Sequence, residues 1–358
     1  MSASQNTIYA KWPVWAARLL ILVVIALSAW PLRPHAPLHI PGERQWNDPM
    51  PKDSDAKLYS AVVARIEKGE SYYDAAAAEQ RARGYPTSPA QVFREPALAI
   101  LLAAIHFPIL RLMLLYAVFG ASIVLLFREL LARRNSAPIR ILGVGVAASG
   151  LSVVGVTDAV YWHEVWAALL IALSLLCYRK DCWLPSVVLA VMACLIRELA
   201  MPYLLVMALF ALLQRRWTEL FGWLAGGAVF LAAYICHLAF SGTMYADGDM
   251  VSASWFAYGG WDFVIATAKW NNVLHMMPDA VVAMAICFGV IALAGAREDR
   301  ARRACIIVSG YMLAFMVVGR PDNYYWGILY TPLLAAGFLF LPAAARDIYM
   351  RAISATDS

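Results

Sequence analysis

Apolar runs about the length of a bilayer crossing recur from one end of this chain to the other. Residues 14–32 (VWAARLLILVVIALSAWPL) form the first and residues 109–127 (ILRLMLLYAVFGASIVLLF) the second. Further runs lie at 141–161, 162–178, 183–196, 198–214, 218–240, 278–296, 304–319 and 324–344. A stretch of about 20 apolar residues reads as a helix across the hydrocarbon core, because only a helix satisfies its own backbone there. A β-barrel would show short alternating segments instead. Charged residues are 15% and hydrophobic residues 62% of the 358, far from the balance of a soluble domain. The expectation is an all-α, polytopic transmembrane protein, not a soluble enzyme, a disordered chain or a disulfide scaffold.

Charge sets the sidedness. The run at 183–214 reads either as one long span or as two short ones meeting at Arg197–Glu198. Arg179 and Lys180 precede it, and Arg215 and Arg216 follow it. One crossing would place one of these pairs outside, whereas a hairpin keeps both inside with the later arginines. This gives ten spans with both termini in the cytoplasm. Twelve basic residues of the short loops then face inward (Arg128, Arg133, Arg134, Arg140, Arg179, Lys180, Arg215, Arg216, Arg297, Arg300, Arg302, Arg303) against three outside (Arg197, Lys269, Arg320). The net charge of +5 is this flanking pattern and implies no nucleic acid. No small-residue cleavage site follows the first run, where PLRPHAP stands, so it reads as an uncleaved span. The cysteines all lie in or beside apolar runs and read as small apolar residues, with no zinc spacing.

One long polar stretch, residues 33–95, carries nine basic and nine acidic residues. It falls in the first extracytoplasmic loop, 33–108. Leu58, Val62 and Ile66, with Tyr59 and Val63 beside them, predict an amphipathic helix at about 55–68. Asp53 or Ser54 caps it and Gly69 ends it. A helix this short and amphipathic lies on a membrane surface. Residues 96–106 are apolar but too few to cross, and predict a second surface or re-entrant helix opened by Pro96.

The unusual polar groups gather on the outer side: Asp53 and Asp55, Arg94–Glu95, Asp158 with His163–Glu164, Arg197–Glu198, Asp247 and Asp249, and Arg320 with Asp322 to Trp326. Each has two readings. Asp53 and Asp55 either stabilise a helix start or hold a carboxylate that takes a proton from a hydroxyl. Arg197 is either a paired turn arginine or a phosphate clamp, and Arg320 has the same alternatives. Tyr324 to Trp326 read as an aromatic belt or as part of a site. His163 reads as an interfacial histidine before a metal ligand, and Asp247-Gly-Asp249 as a turn.

The order of elements is a first span, then a long outer loop with an acidic helix head and a Tyr four residues on. A Gly-Tyr-Pro segment (84–86) and an Arg-x-Pro segment follow, opening a second surface helix before a span that ends in basic residues. The segments are Asp55-Ala-Lys-Leu-Tyr59, Gly69-Glu-Ser-Tyr72-Tyr73, Arg94-Glu-Pro96-Ala-Leu98, Leu195-Ile-Arg197-Glu198 and Asn323-Tyr-Tyr-Trp326. In this the chain resembles the GT-C superfamily of integral-membrane glycosyltransferases. That superfamily includes polyprenyl-phosphate-mannose-dependent transferases and the aminoarabinose transferase of lipid A.

The resemblance implies a GT-C-like module spanning the chain and a sugar donor carried on polyprenyl phosphate. It implies a glycan or lipid-linked acceptor outside the cytoplasmic membrane and an inverting transfer. The first-loop aspartate would be the base, Asp55 matching best and Asp53 second. Arg197, Arg320 and Tyr324 are then candidates for the donor phosphate. Tyr59, Arg94, Asp158, His163 and Glu164 are candidates for substrate binding. Some members need a divalent metal and others do not, so a metal is left open and no other cofactor is implied. Two other functions fit the same composition: a lipid or glycan transporter, and a noncatalytic subunit of cell-envelope assembly.

Overall fold

The computed structural model describes residues 7–34, 54–132 and 137–354; Asp53 lies outside them. From the N-terminus the helices are α1 (Val14–Ala29), α2 (Asp55–Ile66), α3 (Tyr72–Ala82), α4 (Pro96–Ala104), α5 (Pro108–Ala132) and α6 (Ala137–Ser149). They continue as α7 (His163–Cys177), α8 (Leu184–Ile196), α9 (Met201–Leu213) and α10 (Trp217–Gly242). The last are α11 (Gly260–Ala268), α12 (Asn272–His275), α13 (Asp279–Gly295), α14 (Asp299–Phe315), α15 (Thr331–Gly337) and α16 (Leu341–Ala352). Among the described residues there is no strand, only three isolated bridges.

Among the described residues four stretches are long and apolar enough to cross a membrane: Val14–Leu32, Pro108–Leu131, Trp217–Gly242 and Thr331–Ala352. Apolar side chains such as Leu22, Ile25, Phe221 and Ile235 stand exposed along them, as they would toward lipid. The apolar helices His163–Cys177, Leu184–Ile196, Glu198–Leu213 and Asp279–Gly295 are shorter. The cysteines are all free thiols.

The chain forms two compact units. One comprises residues 1–39, 126–152 and 256–358. In it α1 packs on α13 and α16, α13 on α14 and α15, and α15 on α6. Polar contacts join distant segments of this unit. Thr7 donates through its N–H and hydroxyl to Asp347 at 2.6 and 2.9 Å, and Arg300 meets Glu129 at 2.6 Å. Elsewhere in this unit Arg33 stacks on Trp30 and pairs with Asp262 at 2.7 Å.

The other unit comprises residues 40–125 and 153–255. Helix α7 packs on α8, and both α8 and α9 pack on α10. The Ser174 hydroxyl donates to the Ser186 carbonyl at 2.6 Å and shares a 2.8 Å hydrogen bond with Tyr203, which closes the α7–α8–α9 contact. The apolar run 183–214 breaks at Arg197, whose backbone is extended. Arg216 donates to the Tyr178 hydroxyl at 2.7 Å and also to the Lys180 carbonyl. The two basic pairs flanking the run therefore lie together, and Arg197 lies at the far end of a helical hairpin.

Helix α2 buries Ala56, Leu58, Val62 and Val63 against α3 and α4. Its apolar face thus packs against protein. Gly69, at φ +90°, turns the chain out of the α2 C-terminus, a conformation that costs glycine little. Helix α3 follows, capped by the Ser71 side chain accepting from Asp74 N–H. Pro96 opens α4, which buries Leu98 and Leu102 and exposes Ile100 and Leu101.

Candidate functional site

The unit built on α2–α4 and α7–α10 holds a buried cluster of charge. Glu164 is the second residue of α7, and Arg197 directly follows α8, so the hairpin brings them face to face. Arg197 Nε donates to Glu164 Oε1 at 2.7 Å, and Nη1 donates to Glu198 Oε1 at 2.5 Å. Arg94 Nη2 lies 3.9 Å from the same Glu164 oxygen. Glu95, directly before α4, accepts the Glu198 backbone N–H at 3.0 Å. The side chains of Arg197 and Glu164 are 1% and 4% exposed, against 14% for Arg94 and 24% for Glu198. Charges this deep persist only when paired, because isolated ones cost too much desolvation.

Helix α2 lies over this cluster. The Tyr59 ring meets the His163 ring edge-on, centroids 4.8 Å apart, and the Arg94 guanidinium stands 5.9 Å from the Tyr59 centroid. Asp55 is one turn earlier on the same helix, and residues four apart share a face. Its Oδ1 accepts the Tyr85 hydroxyl at 2.9 Å. At the other end of α2, Glu67 pairs with Arg111, which also donates to the Ile105 carbonyl at 2.8 Å and to the Tyr161 hydroxyl at 3.4 Å. The Tyr72 hydroxyl donates to the Arg94 carbonyl. His237 of α10 contacts the Phe93 carbonyl and the Tyr73 hydroxyl, each at 3.2 Å. The segment 93–95 is therefore braced from two sides.

A cavity of about 20 Å³ opens among Tyr59, Gln80, Arg94, Tyr161 and His163 and the apolar side chains of α2–α4. It has room for a water and none for a sugar ring. Both ring nitrogens of His163 and the Gln80 amide oxygen are buried there without a hydrogen-bond partner. No family model, curated protein or solved structure matches the chain.

Burial pushes the Glu95 carboxyl well above the usual carboxylate range; neighbouring Glu198 pushes it further and Arg197 pulls it back. Burial likewise raises the Tyr72 hydroxyl, with Glu95 adding to it.

The structure thus gathers Tyr59, Arg94, His163, Glu164 and Arg197 and places Asp55 on the helix that covers them. Asp158 is exposed on the turn 157–161. Arg320 and Tyr324 belong to the other unit. There Arg320 pairs with Asp322 at 3.0 Å, and the Tyr324 ring lies 5.3 Å from that of Trp270. Among the described residues no group of three or more His, Cys, Asp and Glu side chains is arranged to hold a metal ion.

The sequence alone singles out neither Arg111 nor His237; it marks Glu95 only beside Arg94 and Tyr85 only within the Gly-Tyr-Pro segment, and gives neither a role. Arg111 and His237 carried a usable signal, being polar groups inside long apolar runs. Nothing in the sequence paired Tyr85 with Asp55, thirty residues away.

Proposed function

We propose that the protein is an integral-membrane glycosyltransferase of the GT-C kind. It moves one sugar from a polyprenyl-phosphate donor to a lipid-linked or polysaccharide acceptor on the outer face of the cytoplasmic membrane. The observation that carries the reading is the place of Asp55, one turn of α2 before Tyr59, whose ring meets His163 and Arg94 of the buried cluster. Glycosyl transfer from a phosphate donor asks for this combination. A base takes the proton of the acceptor hydroxyl, the oxygen attacks the anomeric carbon, and the sugar–phosphate bond breaks with its electron pair on phosphate. Cations then stabilise the departing oxyanion. A single inverting displacement needs one carboxylate base and no second, nucleophilic one.

In this reading Asp55 is the base and Tyr85 orients it. Asp53 remains the alternative base. Arg94, the more accessible arginine of the cluster, meets the donor phosphate; Arg197, spent on two glutamates, positions Glu164 and Glu198. Arg320 and Tyr324 remain candidates for phosphate binding, in the other unit. The small cavity must widen for a sugar, by movement of α2 or of the side chains that line it. The ten-span topology with cytoplasmic termini belongs to the same proposal. It is supported by the basic residues flanking the runs and by Arg216 meeting the 178–180 turn.

The test is the purified chain in vesicles with a labelled polyprenyl-phosphate sugar and a mixed pool of lipid-linked acceptors. A new glycosidic bond supports the transferase. Movement of label between leaflets without bond formation replaces it with a transporter, for which buried charge is equally at home. Neither event points to a noncatalytic subunit.

A further inference from the structure

The charge count of the buried cluster does not close. Two guanidiniums, Arg94 and Arg197, face three carboxyls, Glu95, Glu164 and Glu198, through the contacts already described. Glu164 and Glu198 each hold an arginine within ion-pair distance, and those pairings use both cations. Glu95 has no ion-pair contact of that kind: Oε1 takes the Glu198 N–H, while Oε2 is buried with no donor to meet it. The residue is 4% exposed. An ionised oxygen in that position would lack both water and a partner, a costly state. The Glu198 carboxyl is close enough to accept a bond from a proton on Glu95, the arrangement in which two carboxyls share one proton. The other titratable groups that face Glu95 are Tyr72 and Tyr73 of α3, Cys194 of α8 and Tyr234 of α10. None of them supplies a positive charge.

We propose that Glu95 carries a proton in the resting protein, bonded toward Glu198, and that this proton keeps the cluster neutral enough for Arg94 to receive an anionic phosphate. With Glu95 protonated, two cations balance two anions. With the proton lost to bulk water the cluster carries one excess negative charge, which repels a phosphate. Glu95 is then a positioning residue that acts through Arg94 and Glu198. The first half stands on the cluster alone; the second rests on the phosphate-donor reading.

Infrared difference spectroscopy on the purified full chain separates the halves. At neutral pH the wild type should show the carbonyl stretch of a protonated carboxyl, and Glu95→Gln should lose it. A pH rise should remove the band from the wild type itself, a measurement that needs no variant. A wild type without the band, or a band unchanged in Glu95→Gln, overturns the assignment. Binding of polyprenyl phosphate without its sugar tests the second half. Affinity in the wild type should fall about tenfold per pH unit above the Glu95 titration and stay flat in Glu95→Gln. Equal pH dependence in both proteins overturns the role given to the proton. Absence of binding at every pH removes the phosphate reading, while the infrared result still decides where the proton sits.

Discussion

Glu164 at the head of α7 and Arg197 just past the end of α8 meet at 2.7 Å, both withdrawn from solvent. This pair fixes the open ends of the α7–α8 hairpin and the level at which the polar cluster sits. Removing one partner leaves the other charged and buried, which costs about 3–5 kcal/mol. Arg197→Ala should therefore lower the thermal unfolding midpoint of the detergent-solubilised protein sharply. Arg197→Lys should not restore it, because one ammonium cannot replace the fork that reaches both Glu164 and Glu198. A midpoint unchanged in both variants would mean the pair contributes nothing.

The Tyr85–Asp55 hydrogen bond gives a graded expectation. If Tyr85 only orients the base, Tyr85→Phe should lose about 1 kcal/mol of transition-state stabilisation, roughly a fivefold lower kcat/KM. The fold should be unaffected. The comparison to make is kcat against KM, since a change confined to KM would assign Tyr85 to binding.

Asp249 supplies a pH prediction away from the site. Arg81 first, then the Ala246 N–H and the Thr87 hydroxyl, hold its carboxyl below the usual range. The sign follows: a depressed carboxylate stabilises fully above the ordinary Asp value, about pH 4, and less as pH falls through the folded-state value. The loop 243–255 should thus resist limited proteolysis equally at neutral and mildly acidic pH and open only under stronger acid. Asp249→Asn should open it already at neutral pH.

Gly327 tests the packing of the other unit. A Cβ there would collide with the Thr267 backbone carbonyl, which no side-chain rotation relieves. Gly327→Ala should destabilise by about 1–3 kcal/mol, the usual cost of overpacking. Gly310→Ala, with open space around it, is the matched control and should be neutral or slightly stabilising.

Much of this architecture was legible because it follows from period and charge. The four-residue recurrence of Leu58, Val62 and Ile66 announced α2, and Pro96 announced the start of α4. The basic pairs at 179–180 and 215–216 marked a break at Arg197–Glu198 in the run 183–214, since a hairpin keeps both pairs on one side. What the sequence withheld depends on distant partners. Helix α3 reads as polar and alanine-rich, and its place is set by Ser71 capping and by contacts with α2. Glu95 stood out only as part of the Arg94–Glu95 pair, because its partner Glu198 lies a hundred residues on. Arg320 was a candidate from its crowded neighbours, and among its contacts is Asp322, two positions away.

The most direct measurement is sugar transfer from a polyprenyl-phosphate donor by purified wild type, Asp55→Asn and Asp53→Asn. The account predicts that Asp55→Asn retains wild-type thermal stability and donor binding while its turnover falls by about 10²–10⁴-fold, with Asp53→Asn near wild type. Full turnover in both variants would contradict it.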